Sequence, residues 1–225
     1  MTEFLNTAFA SFDGDVFRAM HSLAENAGEF FTPFFKIISI LGEKGLIFFI
    51  TSIILMLFSK TRKIGICMFG AVSCGAIITN LLLKDIIARP RPFENNNEFD
   101  YFWQFVNGTK EDGYSFPSGH VTATMSAMMV VFMMCNKKWS WIGFIVVLVM
   151  GLSRIYLMAH YTTDVLAAII VGLVASVISF YITIIIYKVL HKNLKNKFCD
   201  FCLNWSIFKK KTKIKTESLP GEENE

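Results

Sequence analysis

Two histidines of this 225-residue chain keep chemically useful company. His120 closes the run Pro117-Ser118-Gly119-His120, and His160 stands four residues before Asp164. The other two, His21 and His191, have no such neighbours. A spacing of four puts His160 and Asp164 on one face of a helix start. Asp164 is then placed to accept the Nδ1 proton, which leaves Nε2 unprotonated and outward, as a nucleophile needs. His120, from a separate segment, is placed to protonate a leaving oxygen. Lys84, Arg91 and Arg154 are cations of the kind that grip a phosphate, arginine in a forked, bidentate way. Ser118 and Gly119 fall where a helix begins, and free amides with the helix dipole favour an anion there. Gly119 also lets backbone approach a ligand closely. The same amides suit charge that develops on equatorial oxygens during phosphoryl transfer. The nearby acids Glu94, Glu98, Asp100, Glu111 and Asp112 are not paired with histidine at metal-ligand spacing. The expectation is metal-free chemistry, with no cofactor.

These groups must be positioned by something, and the composition says what. Hydrophobic residues make up 53% and charged residues 18% of the chain, with mean hydropathy +0.47. That excludes a disordered chain or a soluble nucleic-acid binder, since soluble domains carry about 25% charge. A bilayer core needs about 20 apolar residues in a helix. Apolar runs at 45–59, 64–83, 121–135, 139–157 and 165–187 meet or approach that length. A shorter run at 30–41 is interrupted by Pro33 and Lys36 and is either a sixth span or a surface-lying helix. Upstream, Val16, Met20, Leu23 and Ala27 recur at helical spacing between charged residues, the pattern of an amphipathic interfacial helix. The predicted fold is therefore an all-α integral-membrane bundle of five to six spans. It divides into an N-terminal interfacial segment 1–44, a membrane domain 45–190, and a basic then acidic tail 191–225. Gly70, Ala71, Ser73, Gly75 and Ala76 cluster in the second span and permit close helix contact.

The loops give orientation. Lys60, Arg62 and Lys63, then Lys137 and Lys138, then the lysine-rich tail, fall on one side if the spans alternate. The positive-inside rule makes that side cytoplasmic. Every residue of the phosphate-compatible set then lies at span ends on the other side. Taken singly, each has a plainer explanation. Lys84, Arg89 and Arg91 suit snorkelling anchors, and Asp164 suits a first-turn acid. The coincidence of three segments on one face favours a site. The five cysteines are odd in number, three of them in apolar runs, so no disulfide framework is expected, and the lone Cys199–Cys202 pair reads as two ordinary thiols.

Lys84, six residues, then Arg91-Pro92 resembles the first motif of the type 2 phosphatidic acid phosphatase superfamily. Pro117-Ser118-Gly119-His120 is similar to its second motif. Ser153-Arg154, five residues, His160, three residues, Asp164 is similar to its third. The resemblance implies a membrane bundle that dephosphorylates lipid phosphates or diphosphates without metal. By position it implies His160 as the nucleophile that becomes phosphohistidine, Asp164 as its orienting residue and His120 as the acid. It implies Lys84, Arg91, Ser118, Gly119 and Arg154 as phosphate holders. The same motifs occur in soluble vanadium haloperoxidases, against which the apolar spans argue. The Ile-, Asn- and Lys-rich usage points to a bacterial cell membrane. Undecaprenyl diphosphate is slightly preferred as substrate, then phosphatidylglycerol phosphate and phosphatidic acid. A phosphotransferase sharing the intermediate, and a non-catalytic phospholipid binder, are the competing readings. Expected partners are the lipid substrate and membrane lipids, with no nucleic acid. The aromatic residues of 94–114 are expected to form a rim at headgroup level.

Overall fold

The structure, a computed structural model, describes residues 1–193, 196, 197, 203 and 205. Most of the lysine-rich tail and the Cys199–Cys202 pair lie outside these. Every regular element among the described residues is helical. A short α1 (Thr2–Ala8) leads into α2 (Ala10–Leu41), which bends at Ala27, where φ falls to −144°. The chain turns over Glu43–Gly45 with Lys44 and Gly45 at positive φ. It then enters α3 (Leu46–Met56) and returns through α4 (Arg62–Ile77). A π-helical stretch, Ile78–Leu83, continues α4 into α5 (Lys84–Ile87). Two short helices follow, α6 (Pro92–Asn95) and α7 (Asn97–Phe105). The remaining elements are α8 (Gly119–Met134), α9 (Lys137–Ser140), α10 (Ile142–Tyr156) and α11 (Thr162–Lys192).

Four helical stretches are long and apolar enough to cross a membrane: Ala10–Met56, Arg62–Asn95, Lys137–Tyr156 and Thr162–Lys192. Gly119–Met134 is a shorter apolar helix. The first stretch contains both α2 and α3, and contacts separate their roles. Near its start, α2 holds Thr163 and Arg89 through Asp13. Near its end, Ser39 meets Arg154. All of these partners stand at one end of the bundle, so α2 lies over that end and α3 makes the pass. The passes are then α3, α4–α5, α8, α10 and α11. The short segment 30–41 becomes the second half of one bent helix, not a sixth pass. Its Phe35 is buried against Tyr156 at a ring separation of 4.8 Å, and Thr32 bonds the Tyr156 hydroxyl at 2.7 Å.

Without a hydrophobic drive in lipid, helices associate through close backbone approach and interhelical hydrogen bonds. Gly75 lies so near α8 that a Cβ there would meet Ser126 Oγ at 2.8 Å and Thr122 Cγ2 at 2.9 Å. Gly172 meets α8 in the same way, 2.8 Å from the Thr122 carbonyl. Ser179 donates to the Cys67 carbonyl at 2.8 Å, tying α11 to α4. The face of α4 that enters this packing is Cys67, Met68, Ala71, Val72 and Gly75, with Thr79 beyond it; Ser73 and Ala76 are only half-buried.

The aromatic segment differs from its expectation as a rim. It forms α7, whose Phe99 and Phe102 are buried beneath α2. Phe17 packs on Phe99 at 4.8 Å and His21 stacks on Phe102 at 3.9 Å. Trp103 stacks on Phe93. Tyr101 and Phe105 remain exposed. The amphipathic α2 supplies the apolar face that α7 needs, and hydropathy alone does not reveal that pairing.

Candidate active site

The site lies where α5, α8, α10 and α11 end together. His160 is in the five-residue link after α10, two residues ahead of α11. Its ring is 1% exposed, and Nδ1 lies 2.8 Å from the Ser115 carbonyl. A carbonyl only accepts, so Nδ1 carries the proton and Nε2 is left with its lone pair. The Asp164 carboxylate is 3.8 Å from Nδ1. This corrects the expected direct bond, because His160 is not in the helical turn that presents Asp164. Burial first, then Arg154 and Arg91, push the His160 pKa well below its usual value. The imidazole is held neutral.

Asp164 instead organises the surroundings. One oxygen accepts from Arg89 at 2.6 Å. The other accepts from the Tyr161 amide at 3.0 Å and from the Ser115 hydroxyl. Asp164 therefore caps its own helix and fixes Ser115, whose carbonyl orients His160. Arg89 is also buried. It reaches Asp13 at 3.0 Å, Thr163 at 2.7 Å and Asn6 at 2.8 Å, and its guanidinium covers the Tyr161 ring at 3.6 Å. Asp13 completes the knot by accepting from the Thr163 amide at 2.9 Å and hydroxyl at 2.8 Å. Burial raises the Tyr161 phenol's pKa to about 12, against the opposing pull of the Asn95 contact and of Arg89, so it stays neutral.

Arg91 and Arg154 converge on Glu111. Arg91 Nη1 is 3.1 Å from one carboxylate oxygen and 3.0 Å from the Ala159 carbonyl. Its remaining nitrogens bond Gly113 and Asp112 carbonyls. Arg154 bonds the other Glu111 oxygen and Ser39 Oγ. Burial alone would raise the Glu111 pKa, but Arg154 and Arg91 hold it down to about 2. Glu111 is thus an ionised carboxylate on the two arginines expected to hold phosphate.

The N-terminus of α8 completes the arrangement. The Ser118 hydroxyl is buried without a protein partner, as is Arg154 Nε. Ahead of Gly119 the space is open: a Cβ there would meet nothing nearer than Asn80 Oδ1 at 3.9 Å. His120, in the first turn of α8, faces Gly42 at the end of α2. Lys84 begins α5 and is half-buried on the same end of the bundle. All eight residues anticipated from sequence therefore lie at one end of the bundle. Arg89, Asp13, Ser115 and Glu111 were not assigned. Arg89 had a signal in its Arg-Pro-Arg-Pro setting. Asp13 had none, being 150 residues from its partner Thr163. Among the described residues no group of three His, Cys, Asp or Glu is arranged to hold a metal ion.

Fold and site together define an integral-membrane helical bundle with a buried histidine–arginine–carboxylate centre at one end. The chain belongs to the PAP2 superfamily, whose family model matches residues 64–189. It is 34% identical over 125 residues to an undecaprenyl-diphosphatase of Sulfolobus acidocaldarius, covering 53% of this chain and 55% of that one. It is 32% identical over 124 residues to a lipid A 4'-phosphatase of Porphyromonas gingivalis, covering 53% and 52%. The chain thus spans about half the length of the curated relatives it matches. The fold resembles the crystal structure of Aquifex aeolicus LpxE, with TM-score 0.61 at 24% identity, covering 74% of this chain and 93% of that one. It also resembles a transmembrane PAP2-type phosphatidylglycerolphosphate phosphatase from Bacillus subtilis, with TM-score 0.59 at 21% identity, covering 85% and 90%.

Proposed function

We propose that this protein is a metal-independent membrane phosphatase that hydrolyses a lipid phosphate or diphosphate through a phosphohistidine. The observation that carries this reading is the His160 ring, buried and neutral, with Nδ1 given to the Ser115 carbonyl and Nε2 free. Nε2 attacks phosphorus, the bond from phosphorus to the lipid oxygen breaks, and His120, which takes up a proton once the anionic phosphate is beside it, gives that proton to the oxygen. Water, deprotonated by His120, then cleaves the N–P bond and releases inorganic phosphate. Lys84, Arg91 and Arg154, with the Ser118 hydroxyl and the Gly119 amide, take up the charge on the phosphoryl oxygens, the Ser118 amide being given to the Asp164 carbonyl at 3.4 Å. The nearby Glu111 leaves Arg91 and Arg154 when phosphate arrives, or shares them with it.

The site faces away from the cytoplasm and the C-terminal tail into it. Supporting this, Arg62, Lys63, Lys137, Lys138, Lys188 and Lys192 all stand toward the end of the helices opposite the site. Undecaprenyl diphosphate leads the substrates, followed by phosphatidylglycerol phosphate and phosphatidic acid. Purified protein in detergent, given a panel of these lipids with EDTA present, is expected to release phosphate at an undiminished rate. Strict dependence on added metal would overturn the mechanism, and transfer to an added alcohol in place of free phosphate would make the protein a phosphotransferase.

The depressed pKa of His160 has a measurable sign. Desolvation and two guanidinium groups penalise the imidazolium, so the ring stays neutral as pH falls through the usual histidine range. Nitrogen-15 histidine NMR, assigned with the His160→Ala variant, is expected to show His160 still as the Nδ1–H tautomer at pH values where a free imidazole is already charged. Protonation near 6.5 would mean that the ring is neither desolvated nor pressed by the arginines.

A further inference from the structure

Lys36 interrupts an apolar stretch of α2. It is half-buried, between the buried Phe35 and the exposed Ile37. Among the described residues its ammonium has no carboxylate within ion-pair distance and no hydrogen-bond acceptor. It borders a cavity of about 260 Å³ between the second half of α2 and the turn after α7, shared with Ser39, Asn107, Gly108, Thr109 and Leu157. The Asn107 side-chain carboxamide and the Thr109 hydroxyl make no protein hydrogen bond among the described residues. Asn107 is held at φ 48° by the turn, in which its own amide and that of Gly108 already bond the α7 carbonyls. The walls therefore offer one cation and two uncommitted polar groups.

The cavity lies one side chain away from Arg154. Ser39 lines it and also bonds Arg154 Nη1. Lys36 and Ser39 are three residues apart, one turn along the same face of α2, a rise of about 4.5 Å. Leu157 lies midway between Arg154 and His160 in the chain. A water takes about 30 Å³ in the liquid, so the space is large enough for a tetrahedral anion with several waters.

We propose that this cavity seats a second phosphate of the substrate, and that the protein selects lipids carrying two phosphates over lipids carrying one. This rests on the phosphatase reading above. One phosphate occupies the arginines beside His160, and Lys36, Asn107 and Thr109 take the other. Two lipid classes meet the requirement, a lipid diphosphate and phosphatidylglycerol phosphate; phosphatidic acid does not.

The test compares kcat/KM on all three lipids for the full chain and for Lys36→Met, which keeps the stem and removes the charge. A charge-assisted hydrogen bond makes the expected loss roughly 10- to 100-fold on the two-phosphate lipid that is the substrate. Phosphatidic acid turnover should stay within about twofold, and Lys36→Arg should restore most of the loss. A fall of equal size on all three lipids, or on none, overturns the proposal. Calorimetry on His160→Ala reads the cavity without turnover. Inorganic pyrophosphate should bind at least about tenfold tighter than orthophosphate, a preference that Lys36→Met abolishes. Equal affinities for the two anions would refute the second seat. If His160→Ala retained full turnover, the phosphatase mechanism would fail instead, whatever Lys36 did.

Discussion

Alanine in place of His160 is expected to lower phosphate release by about 10⁴-fold or more, the scale of losing a covalent nucleophile. The same substitution should remove any acid-labile phosphate label trapped on the protein by a rapid quench. The imidazole is buried, and its Nδ1 is committed to the Ser115 carbonyl. Arg91, Arg154 and Lys84 remain in the variant, so lipid phosphate should still bind. Retained labelling in His160→Ala would move the covalent role elsewhere, with His120 as the next imidazole to test. Retained turnover without labelling would mean direct attack by water and would remove the phosphohistidine from the mechanism.

Arg89→Met should cost about 3–5 kcal/mol of stability, the penalty of stripping the partner from buried charge. Arg89 is the only cation among the described residues paired with Asp13 or Asp164, and both carboxylates are essentially fully buried. Without it the two acids face one another in a desolvated space. The measurement is thermal unfolding in detergent, followed by tryptophan fluorescence. Adding Asp13→Asn should recover part of the loss, because it removes one of the two orphaned charges. A melting temperature close to that of the unaltered protein would show that water reaches the cluster and that its burial is not what holds α2 down.

The membrane-embedded part of the fold is legible from hydropathy because length and apolarity are local properties. The passes after Arg62 follow the runs at 64–83, 121–135, 139–157 and 165–187 within a few residues. The fate of 30–41 is not local. Whether Phe35 faces lipid or Tyr156 depends on a bend at Ala27, a residue that gives no sign of one. The site was legible where its residues stand in short ordered patterns, as with Ser153-Arg154 and His160. It was misread where spacing stood in for backbone. A separation of four from His160 to Asp164 implies a shared helical face, but the helix begins at Thr162, and Ser115 comes between them. The sequence says of Glu111 only that it is not paired with histidine at metal-ligand spacing, since nothing in the order of residues brings it to Arg91 and Arg154.

The bracket formed by Asp13, Arg89 and Thr163 has a consequence for how the chain reaches its final state. Asp13 emerges from the ribosome early, and its partner Thr163 follows 150 residues later. Contacts that far apart carry a large loop-closure cost and form late. Until α11 is inserted, Asp13 has no Thr163 and Arg89 has no Asp164. The leading helix must wait in the interface while four passes are laid down. The competent centre is therefore assembled in a single closing step, so a nascent chain interrupted before α11 has the arginines but no working histidine.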